Sequence, residues 1–386
     1  MEGQRVKTRV LLVGDHEYTM SPLGKRLGEL YSRLDVSRFE VYFAATTPHD
    51  LVAGDSNLTF HIEFSVRRPF SSIKKLRTLI NECQPNLIHT HGLRASLFVR
   101  FVDAISENRV ICTLDGRELG KGAFGKIEKL FAKVLRRKSV HFVAFSKWDL
   151  ARLTTWGLVN KGKSTVIPNA SSIEDLGQAE VSIYEPFVSA IRKVAEVDEG
   201  NLLFLFRHDK GQSAASKSAI GAFLCSAAAR SGAKLGVVAD KEDDILRNYL
   251  DAKGVTDVVK IILPRKDMTP VFLAADVYVQ LVSDGIAPQD VFDAASASCA
   301  IIASGIGDLC EMFPAAGQAI LLKSCNGSEL TDAFDALTFM TDDNRLSMAQ
   351  AAKQRMQTAY SQSIMTKSHE VMYIKLCNAQ TIETLL

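Results

Sequence analysis

The sequence predicts an α/β protein of two Rossmann-like domains whose parallel sheets face each other across a cleft. Length is the first reason, because 386 residues exceed the roughly 250 that one hydrophobic core ordinarily serves. Patterning is the second. Short apolar runs rich in Val, Ile and Phe alternate with longer stretches of helical spacing, as parallel strands and their crossover helices require. Composition is the third: 47% apolar and 23% charged residues, with no repetitive tract, describe a chain that folds throughout.

The first half offers strands at Val10 to Val13, Val41 to Ala44, Leu87 to His89, Val110 to Leu114, Val140 to Phe145 and Thr165 to Ile167. The second half offers Leu202 to Phe206, Leu235 to Ala239, Val258 to Leu263, Val277 to Leu281, Ala300 to Ala303 and Ile320 to Leu322. Between them Ser171 to Gly200 is acidic and poor in strand patterning, with a helix from about Pro186 to Val197 opening the second domain. The expected domains are therefore residues 1–185 and 186–361. After Tyr360 one more amphipathic helix carries Ile364, Met365, Val371, Met372 and Ile374 as docking positions.

A net charge of +2 gives no reason to expect a nucleic-acid partner. The 7 cysteines are scattered, never spaced as Cys-x-x-Cys, and read as reduced residues of a cytosolic protein. No stretch approaches the roughly 20 apolar residues that span a bilayer, and Val10 to Val13 is too short for a signal core. The expected location is the cytoplasm, with peripheral attachment to the inner face of a membrane as the second reading. That reading rests on Lys121 to Lys138, where Lys121, Lys126, Lys129, Lys133, Arg136, Arg137 and Lys138 interleave with Phe124, Ile127, Leu130, Phe131 and Leu135. Such a helix can lie on an anionic lipid surface or pack on a core with its basic side in water.

Candidate chemistry collects at strand ends. The first strand ends in Gly14, and the loop beyond it runs through Gly24 into a helix whose start can meet an anion. In Pro85 to Gly92, His89 and His91 stand at alternate positions, so both can point to one face. They suit a metal only weakly, because no carboxylate or cysteine follows at zinc-site spacing. A buried histidine beside one that looks into the cleft is the stronger reading. Asp115, in Thr113-Leu-Asp-Gly116, is aimed at the same crevice or begins a turn. Arg207 and Lys210 follow an apolar strand and precede a long helix, where cations suit a diphosphate. From Val277 to Glu311 a strand leads into Ser283-Asp-Gly-Ile-Ala-Pro288 and a small-residue helix, in whose first turns Asp293 can accept hydrogen bonds from a ribose.

Taken together, Asn86 to Gly92, Val166-Ile-Pro-Asn169, Lys210-Gly211, Ala274-Ala-Asp276, Phe292-Asp-Ala294, Ile302-Ala-Ser304 and Gly307 to Glu311 make the chain resemble the family 4 glycosyltransferases, retaining enzymes of the two-Rossmann GT-B architecture. The match runs over nearly the whole chain in order and spacing. It departs in the acidic motif, where the family's paired glutamates become Asp284 and Asp293, set one residue further apart and each one methylene shorter. Asp115-Gly116 stands where a His-Gly pair is usual.

The resemblance implies transfer from a nucleoside-diphosphate sugar to a saccharide or lipid-linked acceptor, with retention, without a metal and without a further cofactor. It implies catalytic roles for Asp115 near the reacting hydroxyl and Asp284 at the sugar. Donor contacts fall to Gly24, Arg207, Lys210, Pro288 and Asp293, an acceptor-side role to His91, and a return to the first domain to residues 362–386. A non-catalytic binding or partner subunit is the alternative, and the altered carboxylates are what would distinguish it.

Overall fold

A computed structural model of the chain describes residues 7–14, 28, 30–45, 59–61, 69–102, 109–114, 140–159, 161–173, 176, 178–208, 213–239, 243–282, 285 and 287–385. It divides into two compact units, Met1–Ala170 with Gln362–Leu386, and Ser171–Ser361.

The first unit contains β1 (Thr8–Gly14), β2 (Phe39–Ala45), β3 (Thr59–His61), α1 (Pro69–Cys83), β4 (Leu87–His91), α2 (Leu93–Phe101), β5 (Arg109–Thr113), β6 (Val140–Ala144), α3 (Lys147–Thr155) and β7 (Ser164–Val166). Its strands form a seven-stranded sheet in the order β3-β2-β1-β4-β5-β6-β7, with every pairing parallel. Side chains alternate across a strand, and both faces are buried. Leu11 and Val13 enter a core with Leu76, Val99 and Phe142, while Val10 and Leu12 enter another with Phe43, Ile111 and Val143. The terminal helix Gln362–Leu385 supplies Met365, Met372 and Tyr373 to the second of these cores.

The second unit runs through α4 (Gln178–Val194), β8 (Leu203–Arg207), α5 (Ser213–Cys225), α6 (Ala227–Arg230), β9 (Lys234–Val238), α7 (Asp244–Lys253), β10 (Val259–Ile262) and α8 (Thr269–Ala274). It continues with β11 (Val277–Gln280), α9 (Gln289–Ser296), β12 (Ala300–Ser304), α10 (Asp308–Met312), β13 (Ile320–Leu322), α11 (Gly327–Phe339) and α12 (Asp342–Ala359). The sheet is six-stranded, ordered β10-β9-β8-β11-β12-β13, and again parallel. Leu203 and Leu205 face one core, and Phe204 and Phe206 face the other. There Phe204, Phe223 and Phe334 meet edge to face with centroids 5.2 to 5.4 Å apart, the arrangement that ring quadrupoles favour.

All twelve expected strands are present with ends shifted by a residue or two. The addition is β3, three residues paired to Phe43, Ala44 and Ala45, an edge strand too short to leave a pattern in the sequence. The division between units falls after Ala170 rather than after residue 185. Hydrogen bonds explain the difference, since the Ser171 amide already donates to the Tyr360 carbonyl at 2.9 Å and its hydroxyl to Asp293 at 3.0 Å. The chain is therefore tied to the second unit well before the expected boundary. The helix expected to open at Pro186 begins at Gln178 and carries the proline inside it.

Tyr373 is fully buried against the first sheet, so Tyr373→Ala should destabilise the first unit by about 3 kcal/mol through lost burial and a residual cavity. Chemical denaturation should show the first unit unfolding earlier while the second is unchanged.

Candidate functional site

Because the faces of both sheets are covered, ligands can reach the sheets only at strand ends, and in open parallel sheets they bind where the strand order reverses. The reversals lie between β1 and β4 and between β8 and β11.

In the first unit Gly14 and His91 are paired at the end of β1 and β4. Gly92 follows at φ 95°, a left-handed value that a side chain would strain. Its amide donates to the Thr113 carbonyl at 3.0 Å, and its carbonyl accepts from the Ser96 amide at 3.1 Å, so the turn into α2 is held from both sides. Beneath it lies a group of imidazoles. His89 Nδ1 is 2.7 Å from the Tyr373 hydroxyl, and its Nε2 is 2.7 Å from the Thr113 hydroxyl. His91 lies with its ring centroid 4.2 Å from that of His89, and His369 of the terminal helix at 5.7 Å. His369 Nδ1 donates to the Met365 carbonyl at 2.8 Å, which leaves Nε2 as the acceptor of its neutral ring.

Burial, reinforced by the neighbouring imidazoles, holds His89 well below the usual histidine range. Burial and then His369 lower His91 to about 3, and burial lowers His369 to about 4. The cluster is therefore neutral near pH 7 and acts through hydrogen bonds rather than charge. The expectation of one buried histidine beside one that looks outward is corrected in part, because both are buried, His91 with 7% of its surface exposed. Among the described residues no group of His, Cys, Asp or Glu is arranged to hold a metal ion.

In the second unit Arg207 ends β8, and its Nη1 is 3.0 Å from Asp290 Oδ2 in the first turn of α9. His208 follows, hydrogen-bonded through Nδ1 to the Ser216 hydroxyl at 2.7 Å and with Nε2 3.0 Å from Asp243 Oδ2, so α5 and the start of α7 meet at the strand end. The connection after β11 is clamped by the turn after β12. The Val282 amide donates to the Ser304 hydroxyl at 2.9 Å, the Asp308 amide to the Gly285 carbonyl at 2.7 Å, and the Ala287 amide to the Asp308 carboxylate at 3.1 Å. Gly307 makes this approach possible, since a Cβ there would lie 2.0 Å from the Gly285 oxygen. Pro288 immediately precedes α9 at its N-cap position.

Asp293, expected to meet a ribose, is engaged within the unit itself. Its carboxylate accepts from the Ser171 hydroxyl at 3.0 Å, the Ser172 amide at 2.7 Å, the Ser172 hydroxyl at 2.7 Å and the Gln289 side chain at 2.8 Å. Three of these bonds fall on Oδ1 and one on Oδ2, so the carboxylate anchors the entering chain. Gly24, Asp115, Lys210 and Asp284 lie outside the described residues, as does Lys121 to Lys138. The contributions of His208, Asp243, Gly307, Asp308 and Asp290 to these strand ends were not anticipated. Only the Gly-x-Gly-Asp stretch Gly305 to Asp308 hinted at a close backbone approach.

Unfolded histidines bind a proton near pH 6.5, whereas in the folded unit His369 resists to about 4 and His91 to about 3. Between those values the unfolded state holds more protons. Stability is therefore full above pH 6.5 and lost as pH falls, by up to about 1.4 kcal/mol per pH unit for each histidine. Denaturant unfolding of the first unit at pH 7.5, 6 and 5 should follow this slope, and His369→Gln should make it shallower.

Residues 24–174 match the family model described as Glycosyltransferase Family 4. No curated protein is matched at a significant level. Among solved structures the chain is similar to a sucrose-phosphate synthase from Thermosynechococcus elongatus, at 13% identity and a TM-score of 0.73, covering 97% of this chain and 100% of that one. It is also similar to HepE from Anabaena in complex with UDP-glucose, at 15% identity and a TM-score of 0.72, covering 94% and 99%. WaaG, a glycosyltransferase involved in lipopolysaccharide biosynthesis, aligns at 12% identity with a TM-score of 0.70 over 94% and 99%. At such identities the structural likeness establishes the fold alone. The chain thus has the two-unit GT-B fold of these glycosyltransferases, and within its first unit residues 24–174 match the family 4 model.

Proposed function

We propose that the chain transfers a sugar from a nucleoside-diphosphate sugar, most simply a UDP-sugar, to a hydroxyl of a saccharide or lipid-linked acceptor. The observation that carries this reading is a cationic strand end, Arg207, at the point of strand-order reversal in the second unit. The family match of the first unit supports it, as does a similar fold solved with UDP and with UDP-glucose.

As the glycosidic bond breaks, negative charge grows on the leaving diphosphate, and donors aimed at that charge stabilise the transition state more than the ground state. Arg207 and Lys210 are the proposed donors, with Pro288 and the loop through Gly24 as further donor contacts. They meet the phosphate charge by themselves, so activity is expected to survive chelation of divalent ions. Asp284 is proposed to hold the sugar and Asp115 to stand by the reacting hydroxyl, with His91 on the acceptor side as a neutral hydrogen-bonding group. Asp293 acts from behind, fixing the chain segment that meets α9. Retention of anomeric configuration follows the family type and is read directly from the product by NMR.

Release of UDP from a donor panel, with and without saccharide acceptors, tests the reading. Lys210→Ala should weaken UDP binding at least tenfold, the loss of one charge-assisted contact worth about 1.5 to 3 kcal/mol. Asp115→Asn or Asp284→Asn should lower turnover by about a hundredfold with a smaller effect on donor binding. A wild type that binds UDP but turns over no donor would identify a binding subunit instead.

Among the described residues no helix is long and apolar enough to cross a membrane. The proposed location is the cytoplasm, with Lys121 to Lys138 docking on anionic lipid. Co-sedimentation should then be stronger with vesicles containing phosphatidylserine than with neutral ones, and should weaken as salt rises.

A further inference from the structure

We infer that Asp290 is an internal competitor for the donor's diphosphate, holding Arg207 in the unliganded protein and releasing it when the donor arrives. The inference rests on the proposed donor site in the second unit. Arg207 and Asp290 come from different elements, the end of β8 and the first turn of α9, and meet at 3.0 Å. Both lie where the strand order reverses.

A guanidinium treats carboxylate and phosphate oxygens alike, as planar partners for its N–H groups. A carboxylate paired with the site's arginine therefore imitates the ligand. The pair is exchangeable because Arg207 keeps 43% of its side-chain surface exposed, and ion pairs open to water are weak. Asp290 keeps only 15% and sits in a helix's first turn, where negative charge is favoured.

Asp290 sets how strongly Arg207 is available. It weakens donor binding, and it reclaims the arginine as the diphosphate product departs.

UDP binding to the full chain by calorimetry tests this with Asp290→Asn, Asp290→Ser, Arg207→Gln and the combined Asp290→Asn/Arg207→Gln variant. Both Asp290 substitutions should bind UDP about three- to fivefold tighter, the scale of an exposed ion pair released. Serine suits a helix's first turn, so agreement between the two variants separates the effect from misfolding. Arg207→Gln should bind UDP more weakly than wild type, and adding Asp290→Asn to it should give no gain, since the competition acts through that arginine. An equal gain in the Arg207→Gln background would mean general repulsion of phosphate and overturn the inference. Weaker binding by both Asp290 variants would make the residue a support for Arg207 and overturn it as well. If wild-type protein binds neither UDP nor ADP at millimolar concentration, the donor site itself fails, an outcome distinct from both.

Discussion

Burial of both faces of a parallel sheet is the constraint on which the rest of this structure depends. Crossover helices cover each face, so Val10 to Val13 of β1 and Leu203 to Phe206 of β8 enter cores on alternate sides, and the backbone pairs internally from strand to strand. Only the strand ends remain for polar chemistry. Each sheet begins near its middle and reverses direction once, which puts a single point of divergence in each unit. His91 and Arg207 occupy those points because they are the residues that end the strands there.

The first unit is completed by a segment from the far end of the chain. Tyr373 reaches His89 across 284 residues, and His369 joins the same cluster. In that buried setting a charged imidazole would lose its hydration, so neutral rings bonded to Tyr373, Thr113 and the Met365 carbonyl are the stable solution. Proton uptake is consequently a threat to this unit rather than a resource for it. The arrangement also links the terminal helix to the ends of β4 and β5, where Thr113 receives the other side of His89.

In the second unit carboxylates act mainly as acceptors for the fold's own donors. Asp293 gathers the entering chain, Asp308 holds the Ala287 amide, and Asp243 caps α7 through the Leu246 amide while pairing with His208. Asp276 accepts from Arg192 and from the Leu203 amide. An aspartate near a strand end therefore marks a polar junction, and only its partners decide whether that junction is open to a ligand. The pairing of Asp290 with Arg207 differs from these because its cation is half in water.

The sequence by itself determined the two parallel sheets, because an apolar run buried on both faces is a local pattern, visible residue by residue without knowing its neighbours. It also marked His89, His91, Arg207 and Asp293 as strand-end or helix-start polar residues, since their positions follow from the runs beside them. It could not reveal β3, whose three residues are held by pairing to β2 rather than by their own character. Tertiary structure alone decided what each polar group meets: that Asp293 binds Ser171 and Ser172, that Arg207 binds Asp290, and that His91 is buried among imidazoles. Hydrogen bonds and ion pairs act over about 3 Å between groups far apart in the chain, so they exist only once the topology has brought those groups together.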